Sequence, residues 1–413
     1  MSRRPRRIGT LAVAMAAAGV VGLPAAASAA PDAATGSAGA EYAFAPSYTA
    51  RAWGANTAGQ LGNGSTTSSL VPVPVTEVTG LDDARTIVGG NDSAYAVRGD
   101  GTVWAWGLND AGQLGNGTQI NSTVPVQVAG LTGIRAIAAS TSALGVSGVG
   151  YALRNDGTVW AWGLNDAGQL GNGTQINSTV PVQVIGLTGI RAITADRGSA
   201  YALRRDGTVW AWGDNTYGQL GTGAGPTSLL PVQVTGLSSI RAVAARSGSA
   251  YALRSDGTVW AWGLNNLGQL GNGLTGTNSL FPVPVSGLTS VRSIAAGLGT
   301  GYALRSDGSV WAWGVNDAGQ LGIGVAGLNS PVPVPVTGAT GLIDAVSIAA
   351  GDSTAYAVRW DGAAFAWGEG SLGQLGIGLA VDSALPLPVP GVADAQAVAG
   401  GRTSGYAIVG DWF

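Results

Sequence analysis

Six aspartates recur at one place in the chain, Asp100, Asp156, Asp206, Asp256, Asp307 and Asp361, each immediately before a glycine. Carboxylates are the raw material of general acid and base chemistry, and most glycosidases work with a pair of them flanking the sugar bond. Glycoside hydrolysis needs two unlike carboxylates in one cleft, however, and nothing marks such a pair here. Identical placement beside Gly is what hairpin turns require. Ser93, Ser199, Ser249 and Ser404 occupy a second repeated place, yet a hydroxyl becomes a nucleophile only beside a base. The chain has no His, no Cys and no Lys, so the commonest base and the commonest zinc ligands are absent. The sequence therefore points to no catalytic residue, no metal and no cofactor.

Aromatic faces offer another chemistry, the stacking of sugars or bases. Of the 14 Trp, ten form five Trp-Ala-Trp pairs, and Trp53 and Trp367 hold the second Trp place in two further copies. Alternation inside a strand assigns these to the core. Trp360 and Trp412 fall outside the pattern, and packing near a turn, in preference to ligand contact, is expected for them. The recurring Gly-Gln-Leu-Gly is not a phosphate loop, because no Gly-Lys-Ser/Thr follows it and no helix opens after it.

The elements that position these residues are set by an internal repeat. Ala-Trp-Gly ends at Gly54, Gly107, Gly163, Gly213, Gly263, Gly314 and Gly368, and each copy is followed at fixed distance by Gly-Gln-Leu-Gly, from 59–62 to 373–376. Upstream of six copies lies a hairpin signature, as in Ser249 to Arg254, then Ser255-Asp256-Gly257, then Thr258 to Gly263. A run such as Ile240 to Ala245 precedes the hairpin, and a Pro-Val segment such as Pro231 to Val234 precedes that. Pro suits a strand start or an edge, where its missing N–H does no harm. A unit of roughly fifty residues with four strands is a propeller blade.

The two ends of the repeat are complementary. The first copy, from Tyr48 to Gly54, lacks the preceding hairpin strand, and the last unit, from Ser404 to Phe413, lacks the following one, with Asp411 at the turn position. The expected fold is all-β, a seven-bladed β-propeller closed by pairing the N-terminal and C-terminal strands in one split blade, which removes open edges. Residues 101–137 and 157–193 differ only at Ala129 against Ile185, the mark of a duplicated unit.

Residues 1–30 read as a signal peptide: Arg3, Arg4, Arg6 and Arg7, an apolar stretch from Ile8 to Leu23, and the small residues Ala27-Ser28-Ala29-Ala30. Residues 31–47, rich in Ala, Gly and Ser, read as a flexible leader, and 48–413 as the propeller. The expected location is secreted or extracellular, with no membrane span after cleavage. Four of the 20 basic residues lie in that first segment, leaving 16 Arg against 23 acidic residues, a net of −7. That balance suits neither nucleic acid nor an anionic membrane.

Trp-Ala-Trp-Gly followed by Asn and Gly-Gln-Leu-Gly, with Ile-Ala-Ala-Gly before the hairpin as at 348–351, resembles the regulator of chromosome condensation repeat, from about Tyr48 to Phe413. The resemblance implies a rigid ring whose faces hold protein partners. Members of that family include a guanine-nucleotide exchange factor, modules of large ubiquitin ligases and secreted bacterial β-lactamase inhibitors. Where the family usually has His before the Leu-Ala-Leu strand, this chain has Ser93, Val149, Ser199, Ser249, Thr300, Thr354 and Ser404. An exchange mechanism leaning on that His does not fit.

Function in a repeat scaffold is expected where the copies differ. The loops before the Tyr strand carry Asp92, Asp196, Arg197, Arg246, Asp352 and Arg402, and the same loop of another unit holds the insertion Ser140 to Val149. Alternating charge there suits a protein partner through complementary potentials. The sequence thus leads to a secreted, monomeric, non-catalytic protein-binding scaffold whose partner is unidentified. Inhibition of a secreted or envelope hydrolase such as a β-lactamase is the second reading, a propeller enzyme acting on polysaccharide the third, and nucleotide exchange the last.

Overall fold

The computed structural model describes residues 48–76, 81, 83–140, 148–337, 342 and 344–410. The proposed signal and leader, most of the insertion after Ser140, Asp411 and Trp412 lie outside the described residues. Among the described residues there are 28 strands and no helix, so none is long and apolar enough to cross a membrane. The strands form seven four-stranded antiparallel sheets.

One blade shows how the repeat is read. Ile240–Arg246 pairs with Ser249–Arg254, that strand with Val259–Gly263, and that with Ser279–Pro284. The first strand of each blade packs against the first strands of both neighbouring blades, all the way round. These seven are therefore the inner strands surrounding the axis, and the Pro-Val strands are the outer edges, as their proline content requires. The remaining sheet runs Ser69–Pro74, Tyr48–Gly54, Ser404–Gly410, Ala395–Gly400, with Tyr48 opposite Gly410 and Gly54 opposite Ser404.

The hairpin between second and third strands is a three-residue loop. Gly257 N–H donates to Arg254 O, and Gly257 has φ +82°. This is a type I turn closed by a left-handed glycine, so the positive φ falls on Gly alone and not on the Asp. Asp256 instead accepts from the Thr258 N–H at 2.9 Å and the Thr258 hydroxyl at 2.7 Å. The hydroxyl bond holds such carboxylates below their usual range, as at Asp206 and Asp256.

Gly-Gln-Leu-Gly is a staple between blades. Gln169 O accepts from Tyr151 Oη of its own blade at 2.8 Å and from Trp212 Nε1 of the next at 2.8 Å. The two rings meet edge to face, with centroids 6.2 Å apart. The arrangement recurs around the ring and crosses the chain ends, where Trp53 donates to Gln374 O and Tyr406 to Gln60 O. Each such bond contributes about 1 kcal/mol and each ring pair about 0.5–1.5 kcal/mol beyond the area it buries.

The second Trp of every pair is fully buried, whereas the first, such as Trp160, is only half-buried. Trp160 stands two residues from the hairpin turn, donates to the Thr158 hydroxyl at 3.3 Å, and is covered by the Arg154 guanidinium at 4.9 Å. A cation over the ring face replaces core packing at the end of the strand. Trp360, in the turn after Thr354–Arg359, is 71% exposed and so is not packed as expected.

Candidate functional site

Each strand reversal falls at one of two ends of the ring. The hairpin end holds the Asp-Gly turns and the start of every inner strand, since Ile240 N–H donates to Gly207 O in the neighbouring turn. The loop end holds two tiers of loops, one joining inner to second strands and one joining third to outer strands. The tiers touch: Gln60 donates to Asp92 at 3.3 Å.

All six candidate residues stand in the inner tier. Arg246 closes the inner strand Ile240–Arg246, and its Nε donates to Asp352 Oδ1 at 2.8 Å, while Nη2 lies 2.6 Å from the same oxygen. Its Nη2 also donates to Gly401 O at 3.3 Å. Asp352 and Gly401 belong to the blades two and three places further round, so this side chain crosses the axis. The inner-tier loops are chained by backbone bonds as well, Leu298 N–H to Asp352 O, Asp352 N–H to Gly401 O, Arg402 N–H to Gly90 O and Asn91 N–H to Ser140 O. The loop end of the axis is thereby cross-braced.

Asp196 is buried, with Oδ1 accepting from Arg197 N–H at 2.6 Å and Oδ2 from Gly248 N–H at 2.7 Å. Burial raises its pKa to about 6, against the lowering influence of those N–H groups and of the Arg246 charge. Asp92, held at φ +51°, pairs with Arg402 at 3.0 Å and accepts from Thr403 at 3.4 Å. Arg197 is exposed. The structure thus brings Arg246 to Asp352 and Arg402 to Asp92, buries Asp196 and turns Arg197 to solvent. Among the described residues no group of three or more His, Cys, Asp or Glu could hold a metal ion.

A feature of the same end escaped the sequence reading. In the outer tier Ile120 and Ile176 are each 74% exposed and Leu328 67%, with Leu274, Leu379 and Val381 also exposed. The loop geometry explains it. Asn109, itself buried, donates to Thr118 O and Ile120 O and accepts from Leu114 N–H, wrapping the loop around its amide. The backbone of Ile120 is held inward, which leaves its side chain in solvent. An apolar residue beside the recurring Asn, as in Ile120-Asn121, Ile176-Asn177 and Leu328-Asn329, was the signal available.

Charge separates between the ends. Leaving aside Arg51 at the middle of its strand, the described residues of the loop end comprise three Arg and nine acidic residues, and those of the hairpin end twelve Arg and nine acidic residues. The loop end is negative by six charges and carries the exposed apolar side chains.

The RCC1-like domain matches residues 146–411, and the regulator of chromosome condensation (RCC1) repeat matches residues 52–97 and 100–143. The chain is 31% identical over 336 residues to the ultraviolet-B receptor UVR8 of Arabidopsis thaliana, an alignment taking in 81% of this chain and 64% of the receptor. It is 32% identical over 148 residues to the E3 ubiquitin-protein ligase HERC2 of Homo sapiens, 36% of this chain and 3% of the ligase. It therefore spans less than two thirds of either relative. Prp20p from Saccharomyces cerevisiae superposes with a TM-score of 0.77 at 23% identity, covering 89% of this chain and 92% of that one. That likeness establishes the fold.

Proposed function

The chain belongs to the regulator of chromosome condensation (RCC1) repeat family, and on that premise we propose that it is an exported, non-catalytic scaffold whose loop end binds a protein partner. One observation carries this reading, the exposed side chains of Ile120, Ile176 and Leu328 on an end of the ring with a net excess of six negative charges. Apolar contacts within a charged surround are the anatomy of a protein interface, and a monomeric protein seldom leaves them uncovered. The partner is a protein with a basic, partly apolar surface, and one ring binds it. Prp20p, of the same fold, has binding properties to Gsp1p and histones, which supports protein binding as the use of such a ring.

Export is supported by the Arg-rich start, apolar run and Ala-rich site within residues 1–30. The absence of catalysis is supported by the missing His, Cys and Lys and by the way the loop-end carboxylates are spent. Asp196 has both oxygens on backbone N–H groups, and Asp352 is held by Arg246. Arg197 is the candidate residue free to meet a partner directly, and the other five set the shape of the loops beneath it.

The test is affinity capture from culture supernatant and cell envelope with the full chain and two variants. Ile120→Asp with Ile176→Asp should weaken capture of a specific partner at least tenfold, since burying each Ile is worth about 1.5–3 kcal/mol. Thr158→Ala with Thr208→Ala at the hairpin end should leave it unchanged. No specific partner, or equal loss in both variants, overturns the reading.

A further inference from the structure

The second residue of the inner strand is Arg in five consecutive blades: Arg85, Arg135, Arg191, Arg241 and Arg292. In each, the pairing with the second strand slips at that residue, between Ala84 and Thr86 in the first case and between Val291 and Ser293 in the last. A bulge leaves its extra residue outside the ladder and re-aims the side chain. Four of the five guanidiniums then reach sideways to the first carbonyl of the next inner strand. Arg135 donates to Ile190 O at 2.7 Å, Arg191 to Ile240 O at 3.1 Å, Arg241 to Val291 O and Arg292 to Ala345 O. The result is a belt of fixed, forked donors around the hairpin end of the axis.

This belt is balanced only in part, by the charges of Asp256 and Asp307 acting on Arg241 and Arg292 from beyond ion-pair distance. Among the outer arginines of the same end, Arg98, Arg254, Arg305 and Arg359 form ion pairs with their turn aspartates, and Arg154 and Arg204 lie over Trp rings. No ion pair among the described residues includes any of the five inner ones. Burial lowers the pKa of the half-buried Arg191, Arg241 and Arg292, against the opposing charges of Asp256 at Arg241 and Asp307 at Arg292, and burial with the charge of Arg205 lowers that of the more exposed Arg135. The Nε atoms of Arg241 and Arg292, like that of the outer Arg254, are buried without a hydrogen-bond partner. Aligned guanidiniums with spare donors and no close carboxylate are what clustered oxyanions bind best.

We propose that the hairpin end of the axis is a binding site for a small polyanion, a molecule bearing two or more phosphate or carboxylate groups that bridge the inner-strand arginines. Val346 and Gln396 replace Arg in the two adjoining blades and close the circle with uncharged side chains, against which the non-ionic part of such a ligand rests. The site is at the end opposite to the protein-binding loops, so its occupancy does not depend on that reading.

Calorimetric titration of the full chain with inorganic tripolyphosphate in one arm and citrate in the other tests the site and separates phosphate from carboxylate preference. Arg191→Gln with Arg241→Gln should weaken the tighter of the two probes at least tenfold. Arg204→Gln with Arg254→Gln removes the same charge from the same end and should change affinity less than twofold. Should the first pair fail to fold, Arg85→Gln and Arg135→Gln, both at exposed side chains, carry the same expectation at threefold each. Absence of binding by both probes at millimolar concentration, or equal weakening by the inner and outer pairs, overturns the proposal.

Discussion

Asp196 sits beneath the inner loops with both carboxylate oxygens on backbone donors, yet burial outweighs those bonds and lifts its pKa from 3.8 to about 6. A carboxyl whose folded pKa lies above its unfolded one favours folding when protonated. Its contribution is complete below about pH 4 and is lost as pH rises through 6, a change on the order of 2–3 kcal/mol. The turn aspartates act in the opposite sense. Their pKa is held low by the Thr hydroxyls, so their support is present above the ordinary carboxylate range and lost in acid. Denaturant midpoints measured from pH 3 to 8 should therefore rise out of acid, then decline between pH 4 and 7. Asp196→Asn should abolish the decline and keep the acid limb, whatever its absolute stability. A variant whose midpoints decline as steeply as the wild type would exclude Asp196 as the cause.

At the scale of elements, what the sequence showed and what it hid divide along one line. Strands and turns were legible because local rules fix them, Asp-Gly at the hairpin, Trp and Tyr at alternate places, Pro at the outer edge. What depends on how blades meet was not. Arg246 and Asp352 could be seen as departures from the repeat, but a bond between residues 106 apart arises only from ring geometry. Arg191 reads as an ordinary solvated position, because its use follows from a bulge and a neighbouring carbonyl. Ile120 resembles loop drift until Asn109 is seen to hold its backbone. The staple offers a quantitative check. A Cβ at Gly171, where φ is +60°, would lie 2.8 Å from Trp212 Nε1 and from Val184. Gly171→Ala should cost about 2–4 kcal/mol from left-handed strain and overpacking together. Trp212→Phe should cost about 1–3 kcal/mol, having lost one donor while Tyr151 still serves Gln169. Because Phe vacates the space the new methyl needs, the double variant should be more stable than the sum of the single losses implies. Strict additivity in thermal unfolding would show that Trp212 is not the group the methyl meets.

The whole molecule is a disc with opposed ends, one negative with exposed apolar loops, the other rich in arginine and rigid hairpins. Both proposed sites depend on the blades keeping their angular places, so the join between the chain ends matters as much as any loop. Tyr48–Gly54 lies antiparallel to Ser404–Gly410 and crosses into the same aromatic staples through Trp53 and Tyr406. In the other blades the equivalent strands are covalently linked by a turn. Where the ring is opened should then matter little, provided that every blade keeps four strands. A circular permutant that joins Asp411 to Thr49 through one Gly, omits residues 1–48 with Trp412 and Phe413, begins at Thr258 and ends at Asp256 rebuilds one hairpin and splits another. Its circular dichroism should match that of the parent, with a midpoint of thermal unfolding within about 5 °C, because surface turns tolerate such cuts. Deleting Ser404 to Phe413 from the unpermuted chain leaves Tyr48–Gly54 paired only with Ser69–Pro74 and an exposed edge on Ala395–Gly400. That chain should lose cooperative unfolding and aggregate. If the deletion unfolds as sharply as the parent, or the permutant does not fold, the two terminal strands do not bear the structure in the way their pairing requires.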